Sequence, residues 1–200
     1  IDELADAAGV GEQVADITAR AMNGELDFEG ALIERVALLK GVDQGLIGTV
    51  LNERIKLARG GKTLVATMKA NGAYAALVSG GFVQFTNAVA SALGFDEHRA
   101  NRLIEGAGTL MGEVARPILG REAKVDTLRD LTAKLEITSA DVLAVGDGAN
   151  DLGMIGAAGR GVALHAKPVV AAAAPVRIDH ADLTTLLYLQ GYSRDEFVMA

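Results

Sequence analysis

Two aspartates that directly follow a short apolar segment are the residues of this sequence best suited to acid chemistry. Asp147 and Asp151 lie in the run Gly146-Asp147-Gly148-Ala149-Asn150-Asp151, after the apolar residues 142–145. A short apolar run predicts a strand covered on both faces, and ligands collect beyond the carboxyl ends of such strands in parallel sheets. Two carboxylates this close suit Mg²⁺, although Asp and Asn before a helix are also common N-caps. The pattern alone leaves both interpretations open.

A second polar segment, Ser79-Gly80-Gly81, follows a predicted strand over residues 74–78 and precedes a helical pattern that begins near Phe82. A hydroxyl and glycine amides at a helix N-terminus can bind phosphate, but a serine there can also be a simple N-cap. Lys124 lies in the first turn of a predicted helix, where it could balance the charge of a phosphate or be a solvated surface residue. We expect the two loops to lie at the same end of neighbouring parallel strands, so that the metal and phosphate sites face each other.

Three residues of the helical N-terminal region could contact a substrate. Phe28 and Arg35 are seven residues apart, which places them on one helix face, and Met22 precedes them. They could present an apolar plate and a guanidinium to a carboxylate, or be core residues and a surface arginine that pairs with a glutamate. The histidines show no metal-ligand spacing, and we expect His98 and His180 to be solvated and His165 to be structural.

Composition limits the class of protein. The sequence has 200 residues, of which 50% are hydrophobic and 22% are charged, so it can bury a core as one domain or as one domain with an appendage. A net charge of -7 with 4% aromatic residues argues against a nucleic-acid surface, and a small-molecule substrate is expected. Without a long apolar run or a signal-peptide pattern, we expect no membrane contact and a cytoplasmic location. The absence of cysteine excludes thiolate chemistry. A homodimer is possible, and the sequence leaves the oligomeric state open.

The periodicity of apolar residues changes near residue 60. Residues 1–59 show helical spacing and predict a helical-bundle cap subdomain, whereas residues 60–200 alternate between helices and short strands and predict an α/β core. Residues 99–116 suggest a β-hairpin on this core. The sequence opens at Ile1 within a helical pattern, from which we expect that an upstream segment was removed.

Taken in order, Ser79-Gly80-Gly81, Lys124 and Gly146-Asp147-Gly148-Ala149-Asn150-Asp151 resemble the second, third and fourth motifs of the haloacid dehalogenase superfamily of phosphatases. Met22, Phe28, Arg35 and the segment Ala100-Asn101-Arg102-Leu103 are similar to the phosphoserine phosphatases within that superfamily. The resemblance covers essentially the whole chain. It implies a Rossmann-type parallel sheet with a helical cap and Mg²⁺-dependent hydrolysis of phosphoserine, the last step of serine biosynthesis, through an aspartyl-phosphate.

The resemblance also implies roles for individual residues. Ser79, Gly80 and Gly81 would hold phosphate oxygens, and Lys124 would neutralise the nucleophile and the phosphate. Asp147 would organise Mg²⁺ more directly than Asp151, and Asn150 would support the site. In the cap, Arg35 would bind the substrate carboxylate while Phe28 and Met22 close over the substrate and exclude water.

One family motif is absent from the sequence. The Asp-x-Asp-x-Thr/Val motif, which carries the nucleophile and the acid/base on the first core strand, does not occur in the 200 residues, and the resemblance implies a place just before Ile1. We therefore expect this chain alone to be inactive and to lack the first core strand. Ala58 and Arg59 also replace the usual Thr-Pro at the cap hinge. Two alternatives stay open: a phosphatase or phosphotransferase for another small phosphorylated metabolite, and a non-catalytic binding or regulatory fragment.

Overall fold

The computed structural model of the chain describes residues 1–199, which form two compact units. The first unit contains Ile1–Leu57 and Tyr74–Ile118, and the second contains Ala58–Ala73 and the chain from Leu119 onward. Each unit is therefore assembled from two separate stretches of sequence.

Five helices precede the first strand, and from there onward helices and strands alternate except for three successive strands, the second to the fourth. In chain order the elements are α1 (Asp2–Ala7), α2 (Gly11–Met22), α3 (Phe28–Ala37), α4 (Gly45–Glu53), α5 (Gly61–Ala70), β1 (Ala76–Phe82), α6 (Val83–Leu93), β2 (Glu97–Asn101), β3 (Leu103–Gly106), β4 (Thr109–Val114), α7 (Arg121–Lys134), β5 (Leu143–Gly146), α8 (Leu152–Ala157), β6 (Arg160–Leu164), α9 (Pro168–Ala173), β7 (Val176–Ile178) and α10 (Thr185–Leu189). The predicted α/β class is confirmed.

The first unit packs its helices and strands around one apolar cluster. Helix α3 begins at an N-cap, Asp27, whose Oδ1 accepts a hydrogen bond of 2.7 Å from the amide of Gly30. Its buried face joins residues from α1, α4 and the strands, and each fully buried aliphatic side chain stabilises the fold by about 1.5–3 kcal/mol. The buried members of the cluster are Leu4, Leu32, Val36, Leu39, Ile47, Val50, Phe82, Leu103 and Leu110.

The strands of the first unit form two separate pairs. Strands β1 and β2 are parallel, and β3 and β4 form an antiparallel hairpin. Its turn residues, Ala107 and Gly108, both have positive φ (51° and 84°), as expected for a two-residue hairpin turn whose twist matches the strands. The hairpin spans residues 103–114, narrower than the 99–116 predicted, because residues 99–101 pair in β2 instead.

The second unit contains a three-stranded parallel sheet in the order β5, β6, β7. The register pairs Gly146 with Ala163 and Leu164 with Ile178, so the three carboxyl ends lie at one edge of the sheet. Strand β6 is central and buried on both sides, with Val162 in one apolar cluster and Ala163 in another. The acidic loop after β5 is therefore carried by a sheet that is covered on both faces.

The two compact units do not follow the predicted division into residues 1–59 and 60–200, which stays a prediction. Segment Tyr74–Ile118 was assigned by the sequence to the α/β core, but it packs with the N-terminal helices. Backbone hydrogen bonds of 2.8 Å from Gly41 to Leu110 and from Leu110 to Val42 join the hairpin to the segment between α3 and α4. Within residues 1–199, no helix combines the length and apolar character needed to cross a bilayer.

Candidate functional site

The acidic loop of the second unit is organised by Asp151. Strand β5 ends at Gly146, and a 3₁₀ turn over Ala149–Asp151 leads into α8. The buried Asp151 Oδ2 accepts hydrogen bonds of 3.0 Å from the amide of Asp147 and 2.9 Å from that of Gly148. A charged acceptor on two backbone amides fixes the loop strongly, because charge-assisted hydrogen bonds exceed neutral ones in strength.

The other oxygen of Asp151 is paired with Lys124. Nζ of Lys124, in the first turn of α7, forms a short ion pair with Asp151 Oδ1. The two side chains are only 11% and 4% exposed, so Lys124 is not the solvated residue that is common at a helix start. A pair this buried is costly to break, since either charge left alone is desolvated without a partner. The structure thus brings Lys124 and Asp151 together. The role of Lys124 toward the nucleophile and the phosphate stays a prediction.

Asp147 is exposed, unlike Asp151, and its carboxylate makes no hydrogen bond within the described residues. Its backbone carbonyl accepts a 3.0 Å hydrogen bond from the amide of Lys167, which ties the acidic loop to the loop after β6. Residues 1–199 contain no group of three or more histidine, aspartate or glutamate side chains arranged to hold a metal. The exposed carboxylate of Asp147 is compatible with the predicted role of a hard-oxygen ligand for Mg²⁺, which stays a prediction. Both carboxylate oxygens of Asp151 are engaged by Lys124 and the loop amides, so Asp151 orients the loop.

The side chain of Asn150 lies against Gly148 in the same loop. A Cβ atom at Gly148 would lie 2.5 Å from Asn150 Oδ1, so the amide folds back over that glycine. This position is compatible with the supporting role expected for Asn150, which stays a prediction.

Gly146 offers a direct test of the loop geometry. A Cβ atom there would lie 2.4 Å from both Cβ and Cγ of Asp151, and Asp151 cannot move without losing Lys124 and two amides. We expect Gly146→Ala to lower the free energy of unfolding by about 1–3 kcal/mol through overpacking. The matched control is Gly156→Ala in α8, where a Cβ meets nothing within 4 Å and the helix should gain about 0.5–1 kcal/mol. Denaturant unfolding measures both, and equal stability of Gly146→Ala and wild type would contradict this geometry.

The segment Ser79-Gly80-Gly81 lies inside β1 rather than at a helix N-terminus, which corrects the sequence-based expectation. Strand β1 continues to Phe82, and α6 begins at Val83. The register pairs Val78 with Arg99 and Phe82 with Asn101, so three residues of β1 oppose a single residue of β2. This bulge frees the segment from regular pairing. Within it, Ser79 Oγ accepts a 3.0 Å hydrogen bond from the amide of Gly81.

The predicted placement of the two loops is also corrected. Strand β1 pairs with β2 in the first unit, and β5 pairs with β6 in the second, so the two strands are not neighbours in one sheet. The Ser79 loop and the acidic loop are therefore carried by strands of two different sheets.

Of the predicted cap residues, Phe28 lies beside the Ser79 loop. A methyl group at Gly80 would lie 3.5 Å from Cζ of Phe28, which is ordinary van der Waals contact. Phe28 is the first residue of α3 and 38% exposed, so its ring is not a core side chain. Met22 is the last residue of α2 and 77% exposed. Neither residue is part of the buried cluster of the first unit, which leaves both available to a ligand.

Arg35 lies on the same helix as Phe28 and is half-buried. Its Nε donates to the carbonyl of Ala31 at 3.0 Å, and its Nη1 lies 3.5 Å from Thr18 Oγ1. Burial lowers the pKa of the Arg35 guanidinium, while the negative charge of Asp2 acts in the opposite direction. A half-buried guanidinium whose described hydrogen bonds go to a carbonyl and a hydroxyl keeps its charge for an anionic ligand.

The glutamates that could have paired with Arg35 are occupied elsewhere. Glu34 pairs with Arg20 at 3.0 Å, and Glu29 forms a short ion pair with Arg116. The alternative of a surface arginine paired with either glutamate is therefore wrong.

The histidines take three different environments. His98 is half-buried, with Nδ1 3.0 Å from Thr86 Oγ1, so the expectation that it is solvated is wrong. His180 is exposed, as expected. His165 has a positive φ of 47°, and its Nε2 donates to the carbonyl of Ala181 at 2.7 Å.

Two residues near the predicted site were given no role by the sequence. Asn101 donates to the carbonyl of Gly80 at 3.0 Å, and Thr18 contacts Arg35. Asn101 lies in the segment 100–103 that resembles the phosphoserine phosphatases, and this resemblance could have identified it. No sequence spacing points to Thr18.

Comparison with known proteins identifies the relatives of this chain. The sequence profile described as haloacid dehalogenase-like hydrolase matches residues 3–156. A phosphoserine phosphatase of Streptomyces coelicolor is 44% identical over 196 residues, which are 98% of this chain and 48% of that protein. A phosphoserine phosphatase of Lactococcus lactis is 41% identical over 187 residues, which are 94% of this chain and 86% of that protein. The chain thus spans about half of the first relative and most of the second.

Solved structures agree with the sequence relatives. A phospho-aspartyl intermediate analogue of phosphoserine phosphatase superimposes with a TM-score of 0.85 at 38% identity, covering 94% of this chain and 90% of that one. The match extends over both compact units. The chain belongs to the haloacid dehalogenase-like hydrolase family.

Proposed function

We propose that the protein to which this chain belongs is a Mg²⁺-dependent phosphoserine phosphatase, which hydrolyses O-phospho-L-serine to L-serine and phosphate. The observation that carries the proposal is the acidic loop, in which Asp151, paired with the buried Lys124, accepts from the backbone amide of Asp147 at the carboxyl end of β5 and leaves the Asp147 carboxylate exposed. The named relatives support the choice of substrate.

The chemistry follows from the charges that these side chains can offer. Asp147 would hold Mg²⁺, which when bound would supply positive charge against the phosphoryl oxygens. Lys124 would add a cation, and Ser79 with the amides beside it would donate hydrogen bonds to phosphate oxygens. The nucleophile of an aspartyl-phosphate mechanism would come from the Asp-x-Asp-x-Thr/Val motif, which this sequence does not contain. We propose further that this reaction is the last step of serine biosynthesis and that the protein is cytoplasmic.

Phosphate release from phosphoserine by the intact protein tests this function. We expect release with Mg²⁺ and none after chelation, with restoration on adding Mg²⁺ back. Absence of release under all three conditions, in a protein that is folded by circular dichroism, would refute the proposal.

Arg35 tests the choice of substrate. Arg35→Lys should raise KM for phosphoserine about 10-fold or more, because a charge-assisted hydrogen bond to a carboxylate contributes about 1.5–3 kcal/mol and lysine lacks the planar fork. KM for phosphoethanolamine, which has no carboxylate, should stay unchanged. Arg20→Lys is the matched control, since Arg20 is 39% exposed and pairs with Glu34. An unchanged KM for phosphoserine in Arg35→Lys would exclude the planar guanidinium of Arg35 as the ligand of the substrate carboxylate and would favour another small phosphorylated metabolite as the substrate.

A further inference from the structure

The peptide group between Gly80 and Gly81 is held at both ends. Nδ2 of Asn101 donates to the Gly80 carbonyl at 3.0 Å, and the Gly81 amide donates to Ser79 Oγ at 3.0 Å. A trans peptide is planar, so its C=O and N–H point in opposite directions. A group that fixes the carbonyl therefore also fixes the direction of the amide.

This peptide needs such a restraint because both of its residues are glycines. Glycine populates backbone regions that other residues avoid, so a Gly-Gly peptide can rotate at little steric cost. The bulge in β1 removes the regular pairing that would otherwise hold residues 79–81. The side chain of Asn101 supplies an anchor on the neighbouring strand.

The direction of the Gly81 amide determines what Ser79 can do. A hydroxyl has one proton to donate and two lone pairs to accept with. With the Gly81 amide occupying a lone pair of Ser79 Oγ, the hydroxyl proton stays available to an anion. Rotation of the peptide would replace this amide with a carbonyl oxygen, which would repel a phosphate and compete for the hydroxyl proton.

We infer that Asn101 is a positioning residue for phosphate binding, which acts through the Gly80–Gly81 peptide on the Ser79 hydroxyl. The inference rests on the proposed function in that the anion is a phosphoryl group. Asn101 is 2% exposed and is the last residue of β2, so its amide is fixed by the fold.

A nearby amide provides a matched control for a purely structural role. Gln84, in the first turn of α6, donates from Nε2 to the Leu103 carbonyl at 3.0 Å and to Glu105 Oε1 at 2.7 Å. These hydrogen bonds join α6 to β3, which begins two residues after Asn101. None of the described hydrogen bonds of Gln84 reaches residues 79–81. Gln84→Leu should therefore lower stability without changing phosphate binding.

The experiment measures the dissociation constant of inorganic phosphate by titration calorimetry on the intact protein, together with kcat and KM for phosphoserine. Asn101→Leu removes the donor to the Gly80 carbonyl without adding a charge, and we expect at least about 10-fold weaker phosphate binding and a similar fall in kcat/KM. If that variant does not fold, Asn101→Ser is used, which keeps a shorter donor and should weaken phosphate binding about 3-fold. Gln84→Leu should bind phosphate as the wild type does.

The outcomes separate this inference from the proposed function. A folded Asn101 variant that binds phosphate as tightly as an active wild type would overturn the inference alone. Equal weakening by Gln84→Leu would assign Asn101 a structural role and would also overturn it. A wild type that binds phosphate but does not hydrolyse phosphoserine would overturn only the proposed function, and one that neither binds phosphate nor hydrolyses phosphoserine would overturn both.

Discussion

Asp147→Asn is expected to lower kcat/KM for phosphoserine about 10³-fold and to leave the fold intact. The carboxylate is exposed and makes no hydrogen bond within residues 1–199, so neutralising it removes no described contact. Losing a charged ligand of a catalytic cation costs several kcal/mol of transition-state stabilisation, and about 1.4 kcal/mol corresponds to each factor of ten. Higher Mg²⁺ concentrations should be needed for any residual activity.

The control for Asp147→Asn is Asp126→Asn, which removes the same charge from an exposed side chain of α7. Activity and the midpoint of thermal unfolding should be measured for both variants. Activity of Asp147→Asn within a factor of ten of wild type would exclude a ligand role for this carboxylate.

Lys124→Met should be strongly destabilising, by about 3–5 kcal/mol, because it leaves the buried charge of Asp151 without a partner. Asp151→Asn should destabilise as well, since Lys124 then loses its anion. In the double variant neither charge is left alone, and the loss of stability should be smaller than the sum of the single losses. Denaturant unfolding of the four proteins measures this coupling.

An exposed ion pair on the same helix calibrates the experiment. Arg129 and Asp126 are 3.3 Å apart with side chains 73% and 60% exposed, and Arg129→Met should change stability by less than about 1 kcal/mol. The Lys124→Met/Asp151→Asn variant should regain stability relative to the single variants. It should not regain activity, since Lys124 is also proposed to act on the phosphoryl group. Strict additivity of the two single losses would show that the pair is not coupled.

Local sequence patterns predicted the acidic loop well. An apolar run followed by glycine and aspartate indicates the end of a buried strand, and β5 ends at Gly146 as that pattern requires. Helical spacing likewise placed Phe28 and Arg35 on one helix, α3. These features depend on residues close in sequence, whose backbone geometry is set by local sterics.

Features that depend on distant partners were not predicted. The Gly-Gly pair indicated a turn after residue 78, but β1 continues to Phe82 because the bulge is held by Asn101 from another strand. Chain order also does not give strand order in a parallel sheet, so β1 and β5 were wrongly expected to be neighbours. The partner of His98, Thr86, likewise lies on a different element and has no signature in the spacing.

The assembly of each unit from two stretches of sequence has a consequence for how this enzyme could diversify. Under the proposed function, the residues that recognise the organic part of the substrate, Phe28 and Arg35, belong to the same unit as Ser79, whereas Asp147 and Lys124 belong to the other. Substitutions that change which phosphate ester is accepted can therefore accumulate in one unit, while the acidic loop in the other unit keeps its ion pair and its amide hydrogen bonds. Under the proposed function, the choice of organic group and the metal-dependent chemistry would then change through substitutions at different positions of one polypeptide.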